Sequence, residues 1–421
     1  MNKIILTIIS ALLVLSSFAQ KNYKSIYSRF GIGEIAPRGN SVNYSLGFAG
    51  IAYRNKLYLN SLNPASYTSL DSMTFILDFG LNGKFTYLQT ETSSENHYAA
   101  NISYITIGFP ITRWYFTTLG MKPFSSSGYS ITNNTEITDE NGNVIGESSQ
   151  NYTGEGDITQ LYIGQAFKIT PALSIGAHIS YLYGKLNNIT TLTFPAEYGA
   201  KNLNEQNKTY VNDFYFDFGA QYSIRLSEQT HLELGATYAL RKKIASQTYS
   251  TVTSFYGSSG SLDTLDNRLT GRDGLTMPMQ LGFGMSLTLQ NRYRFLLDYQ
   301  FTDWKNAKLF ESQEIDNSFK TNLGIEILPD RNSLHYINKI SYRIGGYYKK
   351  SLIIVNDKNL NNFGITFGFG LPVRNLGTTF NFAFVLGQMG TTENGLIKEN
   401  FVGFNISLSF LDKWFYKRKF D

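Results

Sequence analysis

The 421-residue chain has no cysteine, nine prolines and four histidines. Without cysteine there is no disulfide framework and no thiolate site, so burial and backbone pairing must supply the stability. A lipoprotein anchor is excluded for the same reason. His97, His178, His231 and His335 are scattered without metal-ligand spacing, and no serine, histidine and acid fall in register. No metal, no cofactor and no enzymatic activity are expected. Charge is also scarce: 37 Lys+Arg stand against 32 Asp+Glu, a net charge of +5. Spread over so long a chain, this is no nucleic-acid footprint. Beyond the first residues the chain lacks the run of about 20 apolar residues that a spanning helix needs.

The first residues read as an export signal. Lys3 supplies the positive start, Ile4 to Leu15 the apolar stretch and Ser17-Phe18-Ala19 the small-x-small cleavage site, so 1–19 is expected to be a signal peptide. The rest is rich in tyrosine (29), phenylalanine (31) and glycine (37), yet its mean hydropathy is −0.20. Many aromatics at low average hydropathy suit strands that present apolar residues to lipid on one face and polar residues to a lumen on the other.

From Met73 onward the period is two. Phe214, Phe216, Phe218, Ala220, Tyr222 and Ile224 share one face, while Asp217, Gly219, Gln221, Ser223 and Arg225 share the other. Leu232, Leu234, Ala236 and Tyr238 lie opposite His231, Glu233, Gly235 and Thr237, and Phe363 to Leu371 alternates with glycine and threonine. About fourteen such strands can be counted between 73 and 411. Short turns near 110, 170, 227, 290 and 373 alternate with long polar segments, read as loops, at 125–156, 188–211, 246–276 and 352–361. The link at 329–337 is a longer exception among the short turns. An even number of strands with short turns on one side and long loops on the other is the rhythm of a bacterial outer-membrane barrel. The expected fold is therefore all-β: a transmembrane antiparallel β-barrel in outer-membrane lipid, with both termini periplasmic and a basic tail over 412–421. A charge facing lipid would cost about 2–4 kcal/mol for arginine near the midplane, so Asp217, Arg225, Glu233 and Asp298 are expected to point into the lumen as packing partners. Pro123 cannot donate to a ladder and must break or kink its strand there, unless it simply ends the strand before a loop. Asp139-Glu140-Asn141-Gly142-Asn143 has the composition of a calcium loop but the wrong spacing, and reads better as an Asn-Gly hairpin tip.

The region 20–72 is different. Ser28-Arg29-Phe30-Gly31-Ile32-Gly33-Glu34, Leu46 to Ala52 and Leu62-Asn63-Pro64-Ala65-Ser66 have no sustained period and are rich in glycine, serine and asparagine. Such composition suits a compact irregular plug, or hatch, inside the barrel. Asn63-Pro64-Ala65 is a preset turn that would fix the hatch to the wall, as a rigid plug or as a moving gate.

These residues carry a resemblance. Gly47 to Ala52 followed by Asn63-Pro64-Ala65 is similar to the N-terminal hatch of the FadL-type outer-membrane transporters of long-chain fatty acids and other hydrophobic compounds. Gly120-Met121-Lys122-Pro123-Phe124 with Gly128-Tyr129 resembles that family's kinked third strand. Gly154-Glu155-Gly156-Asp157, Tyr181-Leu182-Tyr183-Gly184, Asp298 to Trp304, Tyr342 to Tyr348 and Phe363 to Pro372 follow in the family's order along the whole mature chain. The resemblance implies capture of a hydrophobic, fatty-acid-like molecule in an apolar lumen pocket and sideways release beside the third strand, with Gly120 and Pro123 at the kink. Relatives of this kind in Bacteroidota include a barrel that serves as an adaptor in type IX secretion. The other reading is therefore a non-transporting scaffold with a protein partner. The Ser/Thr/Asn-rich outer segments, poor in apolar residues, favour it.

Overall fold

The computed structural model describes residues 25–138, 141–195, 199–257, 262–272, 274–309, 315–330, 333–355, 358–373 and 377–413. The export signal and most of the basic tail lie outside these residues, as do Asp139 and Glu140.

Alternating sequence becomes strand wherever its apolar face can meet lipid. Fourteen strands form the wall: β1 (Thr74–Gln89), β2 (Ser94–Pro110), β3 (Tyr115–Thr138), β4 (Val144–Lys168), β5 (Leu173–Thr193), β6 (Asn202–Arg225), β7 (His231–Ala239), β8 (Met279–Leu289), β9 (Tyr293–Asp303), β10 (Ser318–Ile327), β11 (Ser341–Val355), β12 (Lys358–Pro372), β13 (Thr379–Met389) and β14 (Lys398–Lys413). Every strand pairs antiparallel with its neighbour in sequence, and β14 closes the barrel on β1 from Lys398↔Gln89 to Lys413↔Thr74. Leu161, Ile163, Ile175, Ile179, Phe214, Phe218, Leu323 and Ile365 are exposed on the outer surface. Their alternate neighbours, among them Gln160, Ser174, His178, Asp217 and Asn322, are buried inside. Trp114 stacks on Phe167 at the short-turn end, as aromatic residues do at a membrane boundary.

The structure corrects the reading of the polar segments as loops. β3 and β4 pair as far as Thr138↔Val144, β5 and β6 as far as Leu192↔Leu203, and β11 and β12 as far as Val355↔Lys358. Within 246–276, Ser246–Phe255 pairs with both β6 and Asp263–Arg272, so a polar hairpin leans on the long-loop half of β6. Many of the positions that these extensions bury are polar, among them Ser126, Ser127, Ser246, Ser250 and Ser254, so no apolar alternation marks them. Threonine-rich backbone pairs there because a neighbour is present. Gly142, with φ 81°, sits at the tip of the β3–β4 hairpin. The alternating run that starts at His231 is short: β7 stops at Ala239, and Lys242–Ile244 pairs instead with Leu275–Met277.

Both ends of the chain were expected on one side, and the N-terminal end of the described chain is not there. Ser25 Oγ donates to Glu399 Oε1 at 2.6 Å, and Glu399 pairs with Leu88 at the long-loop end of the barrel. Thr74 and Lys413 lie at the opposite, short-turn end. An even strand count fixes only where the wall itself begins and ends. The preceding segment crosses the bore lengthwise.

Candidate functional site

Residues 25–72 lie within the barrel and touch most of its wall. A 3-10 turn (Ile26–Arg29) starts the segment, with the Tyr27 hydroxyl donating to Ile397 O at 2.7 Å. Burial pushes the Tyr27 hydroxyl up to about 12. Arg29 is exposed, its guanidinium 5.0 Å from the Phe30 ring centre, and Gly31 packs against Leu309 with φ 60°. A short helix (Ser41–Ser45) follows, closed at its start by Asn40 and Asn43, whose side chains each accept from the other's backbone N–H. Such reciprocal capping satisfies two orphan donors and lets five residues hold a helical turn. Ser41 donates to Asn405 on β14, Gly47 N donates to Thr366 Oγ1 on β12 (2.8 Å), and Asn322 Nδ2 on β10 donates to Phe48 O (3.2 Å).

Asp298 and the Asn63-Pro64-Ala65 turn make the densest attachments. Asp298, buried on β9, accepts from Gly50 N (2.7 Å) and Ile51 N (2.9 Å). Asn63 caps the 3-10 turn Pro64–Ser69 by accepting from Ala65 N. Its amide donates to Ile51 O in the segment, to Ala220 O on β6 and to Ala236 O on β7. Proline at the first position of that turn costs nothing, because its missing N–H has no intrahelical partner there. The wall meets the segment with glycine: a Cβ at Gly176 would come within 2.7 Å of Ala65 N and Pro64 C.

Further polar side chains complete the attachment. Tyr67 OH lies 2.7 Å from His178 Nε2, and His178 Nδ1 lies 2.8 Å from Asp217 Oδ2. Both ring nitrogens are thus occupied and neither cavity described below reaches them, so the trio joins segment to wall. Arg54 bonds Gln221 and Thr68 and approaches Glu233 at 4.0 Å. Arg225, also of inward parity, ends β6 and is exposed at the short-turn mouth. His178 and the buried ion pairs of Glu326 with Arg343 (2.9 Å) and Arg294 (3.1 Å) escaped the sequence reading. Their signal was there: each stands on the inward parity of an alternating strand.

Toward the long-loop end lies a cavity of about 340 Å³. Phe48, Phe124, Met277, Tyr347, Val385 and Met389 give it apolar walls. Arg38, Lys84, Lys320 and Lys349 bring cationic groups and Glu34 the carboxylate. Lys320 Nζ stands 4.4 Å from the Phe48 ring centre. Phe48 itself has φ 65°, a left-handed backbone that costs a non-glycine residue about 1 kcal/mol or more.

The cavity borders a discontinuity in the wall. The β2–β3 ladder runs only from Pro110↔Phe116 to Ile105↔Met121. β3 continues past Pro123 to Thr138, so of the two expectations for this proline, a kink or a strand end, the strand end does not hold. It carries one extra residue, because Pro123 pairs with Thr159 and Ser125 with Ile158, which leaves Phe124 as a bulge. Gly120 sits in the last paired stretch, where the Tyr162 ring fills the place of a side chain. On the edge that β2 has left, Glu34–Ile35 pairs with Ser126 and Ser125, and Ala36 N donates to Phe124 O at 3.0 Å. Ala99, Asn101 and Ser103 of β2 and Pro123, Phe124 and Ser126 of β3 all line the cavity.

A closed barrel with an apolar outer belt, a polar interior and a lumen crossed by its own N-terminal segment is a bacterial outer-membrane β-barrel. Solved structures of the same architecture include the CymD monoaromatic hydrocarbon channel (TM-score 0.61, 13% identity, 91% of this chain and 99% of that one). The Ralstonia pickettii toluene transporter TbuX (0.60, 15%, 89% and 98%) and a Pseudomonas aeruginosa FadL homologue (0.57, 11%, 91% and 100%) are similar in the same way. At these identities the likeness is one of fold, and the expected FadL-type resemblance holds at that level. The chain belongs to the BamG family, whose model matches residues 1–421. Comparison with curated proteins finds no match.

Proposed function

We propose that this barrel takes up small hydrophobic molecules, with fatty-acid-like amphiphiles as the class its cavity fits best. The observation that carries this reading is a largely apolar cavity of about 340 Å³ lying where β2 and β3 no longer pair with each other. That volume is at the lower end of small-molecule sites. An apolar body would pack on Phe48, Val385 and Met389, and a carboxylate would meet Lys320, Lys349 or Lys84. The hatch blocks the straight route to the short-turn end, so the exit is sideways between β2 and β3, where Pro123 and Phe124 hold the wall apart. Solved relatives of this fold named as a hydrocarbon channel and a toluene transporter support the reading.

Native mass spectrometry of the protein extracted from its own membrane in a mild uncharged detergent tests it. Bound species of a few hundred daltons, lost in Phe48→Ala and reduced in Lys320→Ala, support uptake. An empty lumen with stoichiometric protein partners overturns it and favours the scaffold reading. The polar β-hairpins projecting from the long-loop end are the feature that such an assembly would use.

A further inference from the structure

A second cavity, of about 170 Å³, opens on the other side of the luminal segment, at the short-turn mouth. Arg54 of the segment, His231 and Glu233 at the start of β7, Ser286 and Thr288 near the end of β8, Asn291 in the β8–β9 turn and Arg294 on β9 surround it. Asn291 is exposed, so the cavity is reached from that face. Nothing in the uptake route uses it.

Its charge is unbalanced. Glu326 is held by Arg343 at 2.9 Å and by Arg294 at 3.1 Å, both within the buried network. Glu233 is bonded to Ser223, and Arg54 approaches it only at 4.0 Å. Three guanidinium groups therefore face two carboxylates, one positive charge in excess before His231 is considered. Arg225, paired with His231 in register, adds a further cation at the same mouth. Burial lowers the Arg54 guanidinium from its ordinary range, and Glu233 restores part of the loss. A buried excess charge is costly, and a bound counter-charge relieves it.

Its donors are also unfilled. Arg54 uses two N–H groups on Gln221 and Thr68, and Arg294 uses two on Thr288 and Glu326. Each guanidinium carries five, arranged to match an oxyanion edge. Ser286, 1% exposed on the cavity wall, has a buried hydroxyl with no hydrogen-bond partner. Orphaned buried hydroxyls are uncommon and call for a ligand or a water.

We propose that this cavity is a binding site for a small oxyanion, a carboxylate or a phosphate group, entering from the short-turn face. The two arginines neutralise it, and Ser286 and Asn291 fix its orientation.

Isothermal titration of the full chain in an uncharged maltoside detergent, with low chloride, tests the proposal using inorganic phosphate in one series and propionate in the other. The expected result is saturable binding of at least one probe. Arg54→Gln should weaken it by about tenfold, as loss of a charge-assisted pair implies. Ser286→Ala should weaken it several-fold while the heat-modifiable band of the folded barrel is kept. Asn291→Gly, which keeps the left-handed turn, provides a second folded variant if Arg54→Gln does not fold. Binding of phosphate alone or of propionate alone identifies the group that the site takes. Absence of binding by both probes, or binding unchanged in Ser286→Ala and Asn291→Gly, overturns it.

Discussion

Tyr67 in the luminal segment and His178 on β5 meet hydroxyl to ring nitrogen at 2.7 Å, and Asp217 holds the far side of the same ring. All three side chains are buried. Removing one member strands the others. Tyr67→Phe is expected to cost about 1–2 kcal/mol, the usual penalty for a buried partner left unpaired. The double variant with His178→Asn should cost less than the sum of the two single changes. Urea unfolding of the four proteins, followed by gel mobility, closes the cycle. Additive costs would mean that the two residues do not act together.

Asp298 holds two consecutive backbone N–H groups of the segment. Asp298→Ala leaves both donors buried without an acceptor and is expected to destabilise by about 3 kcal/mol. Asp298→Asn keeps one acceptor oxygen and should lose less. The order of the two urea midpoints checks this.

Gly345 faces Gly47 N and Leu46 C so closely that any Cβ would overlap them. Gly345→Val therefore has to push the segment from the wall. The expected consequence is a leak: liposomes containing the variant swell in a pentose sugar, whereas those with the parent barrel do not. No swelling in either would mean that the segment yields elsewhere and keeps the bore shut.

Phe124 is the extra residue that sets β3 off from β2. Its deletion is expected to straighten β3 and extend the β2–β3 ladder beyond Met121. On the uptake reading, release of a labelled dodecanoate into the bilayer then slows, while the amount bound to the purified protein changes little. Unchanged release would move the exit elsewhere.

The alternation of Phe214 to Arg225, or of Phe363 to Leu371, displayed the barrel wall openly, because a strand between lipid and lumen carries a chemical contrast at every step. The fourteen-strand reading rested on that contrast and is what the structure has. Where the contrast vanished, as in Thr132 to Thr138 or Ser246 to Phe255, pairing continued unseen. Parity also gave the inward positions of Asp217, Glu233 and Asp298. It could not give their partners, since Asp298 bonds residues 247 and 248 positions away in the chain. His178, Glu326 and Arg343 were visible as inward residues, but only the fold reveals that Tyr67, Tyr53 and Tyr58 of the luminal segment meet them.

The first described residue, Ser25, is fastened to the last strand of the wall near one rim, and by Thr74 the same chain has reached the other rim and become the first strand. The first and last strands are themselves joined side by side. The segment is thus enclosed by the seam formed from its own continuation, like a cord laid in a tube before the edges are sewn. It reaches this place only by being gathered in before the seam forms, or by being drawn end-on through the finished bore. Its contacts with β5, β6, β7, β9 and β12 favour the first order of events, in which the strands assemble around a core that they carry with them.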